Sequence, residues 1–152
     1  MSGNRGFARQ TAILVLRPFA FSKIRLCYAM IRKILFVDDD LDSRMIVASH
    51  LRNLGYNILT VEDADDALRV AAENNVDATI LDVNLLGLDG PELMEQLQRI
   101  QPGVPIVLYS GMAADSAKVR RMLEMGAHQF ISKDAPLDEV VKALQSTLNA
   151  VH

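Results

Sequence analysis

Residues 34–40 read Ile34-Leu35-Phe36-Val37-Asp38-Asp39-Asp40, four large apolar residues running straight into three acids. Four consecutive apolar residues leave no polar face, so as a strand they are covered on both sides. The next stretch has another period. Val47, Leu51 and Leu54 fall at i, i+4 and i+7, one face of a helix, and Gly55 supplies its stop. A strand covered on both faces, an acidic turn and an amphipathic helix make one βα unit.

Working outward, the unit recurs. Residues 57–61 read as a second strand, followed by a small-residue helix marked by Ala64, Leu68, Ala71 and Ala72. Residues 78–81 form a third strand that ends on Asp82. Asp89 and Glu92 have the spacing of a capping box, with Pro91 in the first turn, and Leu93, Leu97 and Ile100 mark the inner face of that helix. Residues 105–109 are a fourth strand, and Val119, Met122, Leu123 and Gly126 outline the fourth helix and its stop. Residues 129–132 are a short fifth strand. Pro136 opens a last helix with Val140, Val141, Leu144, Leu148 and Val151 at helical spacing. Parallel strands need crossover helices, so five such units predict an α/β fold, a doubly wound parallel sheet with both faces covered.

Ligands of such sheets bind beyond the carboxyl ends of the strands. The residues just past those ends are Asp38, Asp39 and Asp40, then Asp82, Ser110 and Lys133. Carboxylates gathered in one crevice repel, by on the order of 4 kcal/mol for two charges about 4 Å apart at an effective dielectric near 20. One lysine does not offset that, so a bound cation is expected. An all-oxygen set without Cys or His favours Mg²⁺ over zinc. An aspartate beside Mg²⁺ and a lysine suits nucleophilic attack on phosphorus, with the Ser110 hydroxyl placed to bond the product.

Four blocks carry a family resemblance: residues 34–40 (ILFVDDD), 81–90 (LDVNLLGLDG), 105–111 (PIVLYSG) and 126–133 (GAHQFISK). In this order and spacing they resemble the signature blocks of response-regulator receiver domains, over essentially all of residues 31–152. The resemblance implies a five-stranded flavodoxin-like fold with strand order 2-1-3-4-5. It implies that Asp82 accepts a phosphoryl group from a sensor histidine kinase or histidine phosphotransfer protein. It also implies that Asp39 binds Mg²⁺ directly, that Asp38 acts through metal-bound water, and that Asn84 offers its backbone carbonyl. Lys133 would contact phosphoryl oxygens, Ser110 and Phe130 would be the switch pair, and the role of Asp40 stays open. The partner face implied for the family would include Lys118, Arg121, Met122, Met125 and Gln129.

Three positions depart from the family pattern. Leu86 and Asp134 stand where prolines are usual, and Phe130 often appears as tyrosine. Leu86 is expected to free the loop after Asp82, and Asp134 to present Lys133 through a different turn.

Composition narrows the setting. The chain has 152 residues, 50% of them hydrophobic, and one cysteine, Cys27, which cannot form an internal disulfide. Residues 1–30 hold five basic residues and no acid, leaving eleven basic against nineteen acidic residues, net −8, over the remainder. That acidity disfavours direct nucleic-acid binding. Residues 1–30 are expected to be a basic extension, either disordered or lying upstream of a true start at Met30. A membrane-touching or targeting role is the alternative, because aromatic residues interleave with the basic ones. No run approaches the roughly 20 apolar residues of a membrane span, so the cytoplasm is the expected location.

The expected function is a stand-alone response regulator, not an enzyme beyond assisting its own phosphorylation and dephosphorylation. Its last helix pattern reaches almost to the end of the chain, so output would pass through protein contacts to an unidentified target. A phosphorylation-independent binding module is the first alternative. A small Mg²⁺-dependent phosphatase is the second; Asp38 and Asp40 make its D-x-D, but no later strand end supplies the acidic pair it needs. Read alone, residues 38–40 are equally a solvated turn. His50, His128 and His152 are assigned no role.

Overall fold

The computed structural model describes residues 31–87 and 89–151; residues 1–30, with the expectations placed on them, lie outside that range. Strands β1 (Lys33–Val37), β2 (Asn57–Val61), β3 (Ala78–Asp82), β4 (Ile106–Ser110) and β5 (Gln129–Ser132) alternate with five helices. These are α1 (Leu41–Asn53), α2 (Ala64–Glu73), α3 (Gly90–Ile100), α4 (Ala117–Glu124) and α5 (Leu137–Ala150). All strand pairs are parallel, in the order β2-β1-β3-β4-β5. The doubly wound sheet and its order are as expected.

The period-2 geometry of a strand explains why its apolar runs are continuous. Ile34 and Phe36 point to one face with Ile80, Val107, Tyr109 and Ile131, where α1 and α5 cover them. Leu35 and Val37 point to the other with Leu81 and Leu108, under α2, α3 and α4. Register then aligns the strand ends: Asp82 pairs with Tyr109 and Ser110 with Ser132. Asp38, Asp82, Ser110 and Lys133 therefore reach one edge of the sheet.

Several helix ends differ from the periodic reading. Leu54, Ile100, Leu123, Val151 and Ala72 fit their apolar stripes but are exposed. Ala48, Ala67 and Met94 are buried instead. Most of the misassigned residues lie in or beyond the last turn of their helices, where the stripe runs past the sheet and meets water. Gly55 follows α1 at φ +95°, a left-handed conformation that ends the helix at little cost for glycine.

The predicted capping box of α3 does not form. Asp89 holds the N-cap position but makes no cap hydrogen bond. Its carboxylate lies 2.8 Å from Lys118 Nζ, drawn outward by a cation on the next helix. Gly90 beside it is constrained by space: a Cβ there would lie 2.7 Å from the Val83 carbonyl oxygen and 3.4 Å from the Met122 sulfur.

Candidate functional site

The three acids after β1 divide their work. The Asp38 backbone N–H donates to Val61 O at 3.1 Å, extending the β1–β2 pairing past the strand end. Its side chain is wholly buried. The carboxylate accepts from the Asp40 N–H at 2.9 Å, the Ser43 hydroxyl at 2.7 Å and Lys133 Nζ at 3.0 Å. Asp40, whose role was open, turns away and caps α1 by accepting from the N–H groups of Asp42 and Ser43 at 3.0 and 3.3 Å.

Asp82 ends β3 and is buried. Its Oδ1 accepts from the Asn84 N–H at 3.0 Å and its Oδ2 from Lys133 Nζ at 2.9 Å. Asp38, Asp39 and Asp82 each bring one carboxylate oxygen within 4.8 Å of the others. Three hard oxygen donors in that space fit a divalent cation of the Mg²⁺ type.

Lys133 comes from just past β5 and completes the cluster. Its backbone N–H donates to Ser110 O at 2.9 Å, tying the β4 and β5 ends together. Its ammonium stands 5.7 Å from the centre of the Tyr109 ring, which in turn packs edge-on against Phe36. Asp134, where proline was usual, takes a turn in which its N–H donates to Ser132 Oγ at 3.2 Å and the Ala135 N–H to Ser132 O at 3.1 Å. No cis peptide occurs among the described residues.

Burial governs the electrostatics. It pushes the Asp82 carboxyl above the ordinary carboxylate range; the Asn84 N–H and Lys133 oppose this, and the Asp38 charge adds to it. Burial pulls the Lys133 ammonium down, but its bonds to Asp38 and Asp82 outweigh that, so it rises above the usual lysine value. The Tyr109 hydroxyl is also raised, by burial first, with the nearby Ser43 hydroxyl and the Lys133 charge acting the other way.

Ser110 is buried, and its Oγ accepts from the Met112 N–H at 3.2 Å. Asn84 is exposed, while Phe130 is half-buried and packed against the α2–α3–α4 side of the core. The predicted partner face needs one correction: Met122 is 0% exposed beneath α3 and does not belong to it. It occupies the inward position of α4 with Val119, where the core takes it up. Arg121 is exposed and Met125 half-buried; Lys118 is held by Asp89, and Gln129 Nε2 donates to Ala143 O and Thr147 Oγ1, both at 2.6 Å.

Ser43, Arg44 and Tyr109 are functional neighbours that the residue patterns did not single out. Arg44 Nη1 donates to the Asp38 carbonyl, and its Nη2 lies 3.2 Å from Glu62. The usable signal for Ser43 was its place in the first turn after Asp40. For Tyr109 it was its place directly before Ser110.

Fold and acidic edge together are those of a receiver-type domain, and the comparisons with known proteins agree. Residues 34–145 match the family model of the response regulator receiver domain, and the chain belongs to that family. NtrX, the nitrogen assimilation regulatory protein of Azorhizobium caulinodans, is 36% identical over 124 residues, covering 80% of this chain and 27% of that protein. PrrA, a transcriptional regulatory protein of Mycobacterium tuberculosis, is 34% identical over 116 residues, 76% of this chain and 49% of its own length. The chain thus spans less than half of either relative.

Among solved structures, NtrX of Brucella abortus in complex with ADP superposes with a TM-score of 0.75 at 31% identity, over 80% of this chain and 28% of that one. The CheY-like receiver protein of Methanospirillum hungatei gives a TM-score of 0.75 over 80% of this chain and 96% of that one; at 23% identity it speaks for the fold. Among the described residues, no helix is long and apolar enough to cross a membrane.

Proposed function

We propose that residues 31–152 act as a phosphoryl-accepting receiver with Asp82 as acceptor. The observation that carries this reading is the Lys133 ammonium, 2.9 Å from Asp82 and 3.0 Å from Asp38 at the sheet edge. In the proposed step an Asp82 oxygen attacks the phosphorus of a phosphohistidine on a sensor kinase or phosphotransfer protein. The P–N bond breaks, the imidazole nitrogen leaves and takes a proton, and an acyl phosphate remains on Asp82.

Asp38, Asp39 and Asp82, with the Asn84 backbone carbonyl, would hold Mg²⁺, which when bound supplies positive charge against the phosphoryl oxygens. Lys133 supplies the second positive charge. Ser110 rotates its hydroxyl from the Met112 N–H toward the new phosphoryl group, and Phe130 repacks with it. Phosphorylation adds about −1.5 to −2 charges, enough to reorganise neighbouring loops.

Output passes by protein contact, with the exposed Arg121 and half-buried Met125 and Phe130 in the face that changes. Working as a separate cytoplasmic protein, without turnover of a substrate, is part of the same proposal, and the mass of the native protein tests its extent. The chemistry is tested with acetyl phosphate and Mg²⁺. One phosphoryl mass is gained by wild type and none by Asp82→Asn. A gain that persists in Asp82→Asn overturns the assignment.

A further inference from the structure

The shortest hydrogen bond to the Asp38 carboxylate comes from Ser43 Oγ, at 2.7 Å on Oδ2. Ser43 stands in the first turn of α1, where its own N–H is held by the Asp40 cap at 3.3 Å. The other bonds to Asp38 are the Asp40 N–H on Oδ1 and the Lys133 ammonium. A divalent cation and an ammonium compete for the same carboxylate oxygens. The Ser43 hydroxyl and the Asp40 N–H do not compete, because they are neutral donors anchored in the α1 turn.

Ser43 lines one crevice with Lys133. Tyr109 lines it too, its ring beneath Lys133 and against Phe36. The Ser43 hydroxyl thus holds the acid past β1 from the first turn of α1. A carboxylate held by such donors presents its remaining lone pairs in a fixed direction, and losing an outer partner of this kind typically weakens metal binding by roughly 10–100-fold.

We propose that Ser43 is a positioning residue of the cation site, its hydroxyl fixing the Asp38 carboxylate so that Asp38, Asp39 and Asp82 form a preorganised oxygen set. The inference rests on the reading of those three acids as the Mg²⁺ site. Ser43→Thr and Ser43→Val have the same shape and differ in the hydroxyl, so they separate the bond from the packing.

The test is calorimetric titration of MgCl₂ into the full chain and both variants at one pH and ionic strength, with urea melts without Mg²⁺ to compare their folding. Ser43→Thr should stay within about twofold of wild type, and Ser43→Val should bind Mg²⁺ about tenfold more weakly. A packing role alone moves both melts and leaves the two affinities equal; equal affinities overturn the proposal. Absence of saturable Mg²⁺ binding in the wild type overturns the cation reading beneath it, an outcome distinct from the first.

Discussion

Lys133 Nζ and Asp82 Oδ2 lie 2.9 Å apart, although 51 residues separate them in the chain. The same ammonium serves Asp38, so Lys133 holds two buried carboxylates that otherwise face each other. Lys133→Met should therefore cost on the order of 2 kcal/mol in urea melts without divalent cations, because it leaves both charges without that partner. Part of the loss should return when Mg²⁺ is added. An unchanged midpoint in the metal-free melt would count against the pairing.

Asp82→Asn is expected to act in the opposite direction. Burial holds the Asp82 carboxyl above its ordinary range. A raised folded-state value means that the group's favourable contribution is present below the unfolded value, about 3.9. It is lost as the pH climbs through the folded value, so at pH 7 the wild type carries the cost of the buried charge. Asparagine removes that charge and still offers Lys133 an oxygen. Metal-free thermal melts should show Asp82→Asn more stable at pH 7 by on the order of 1 kcal/mol, with the advantage shrinking as the pH falls toward about 4.

Asp40 and Asp89 hold the same helix position but should respond differently to replacement. Asp40 caps two N–H groups of α1, so Asp40→Ala should cost about 1 kcal/mol, little affected by salt. Asp89 makes no cap bond and only the exposed pair with Lys118. Asp89→Ala should cost less than about 1 kcal/mol, a loss that fades in high salt. Chemical denaturation at two salt concentrations checks both.

Gly90→Ala should be destabilising by about 1–3 kcal/mol, since its Cβ would meet the carbonyl oxygen of Val83 at 2.7 Å, and this buried backbone directly past β3 cannot give way cheaply. Met122→Ala beneath it should cost about 2–5 kcal/mol, whereas Arg121→Ala, one residue earlier but exposed, should stay within about 0.5 kcal/mol. Equal midpoints for Met122→Ala and Arg121→Ala would contradict the orientation of α4.

The sheet was legible because both of its signals are local. An apolar run with no polar face, such as residues 34–37, belongs inside a parallel sheet wherever it occurs. The residues at or just past the strand ends then belong to the carboxyl edge, and Asp38, Asp82, Ser110 and Lys133 are among them.

Other features depend on what lies across a gap. The sequence spacing of Asp89 and Glu92 is that of a capping box, yet a lysine on another helix outcompetes the local N–H. Met122 fits an exposed face as readily as an inward one until α3 is laid over it. Ser43 carries no mark of its own; its hydroxyl gains a partner because α1 folds back beside β1 and β4. Chain-local periodicity and residue chemistry thus determined the strands, their polar ends and the family, because each is written within a few consecutive residues. The tertiary structure decided which acid faces the site, which caps a helix and which is paired away, because hydrogen bonds and charge pairs between distant segments compete for the same few oxygens.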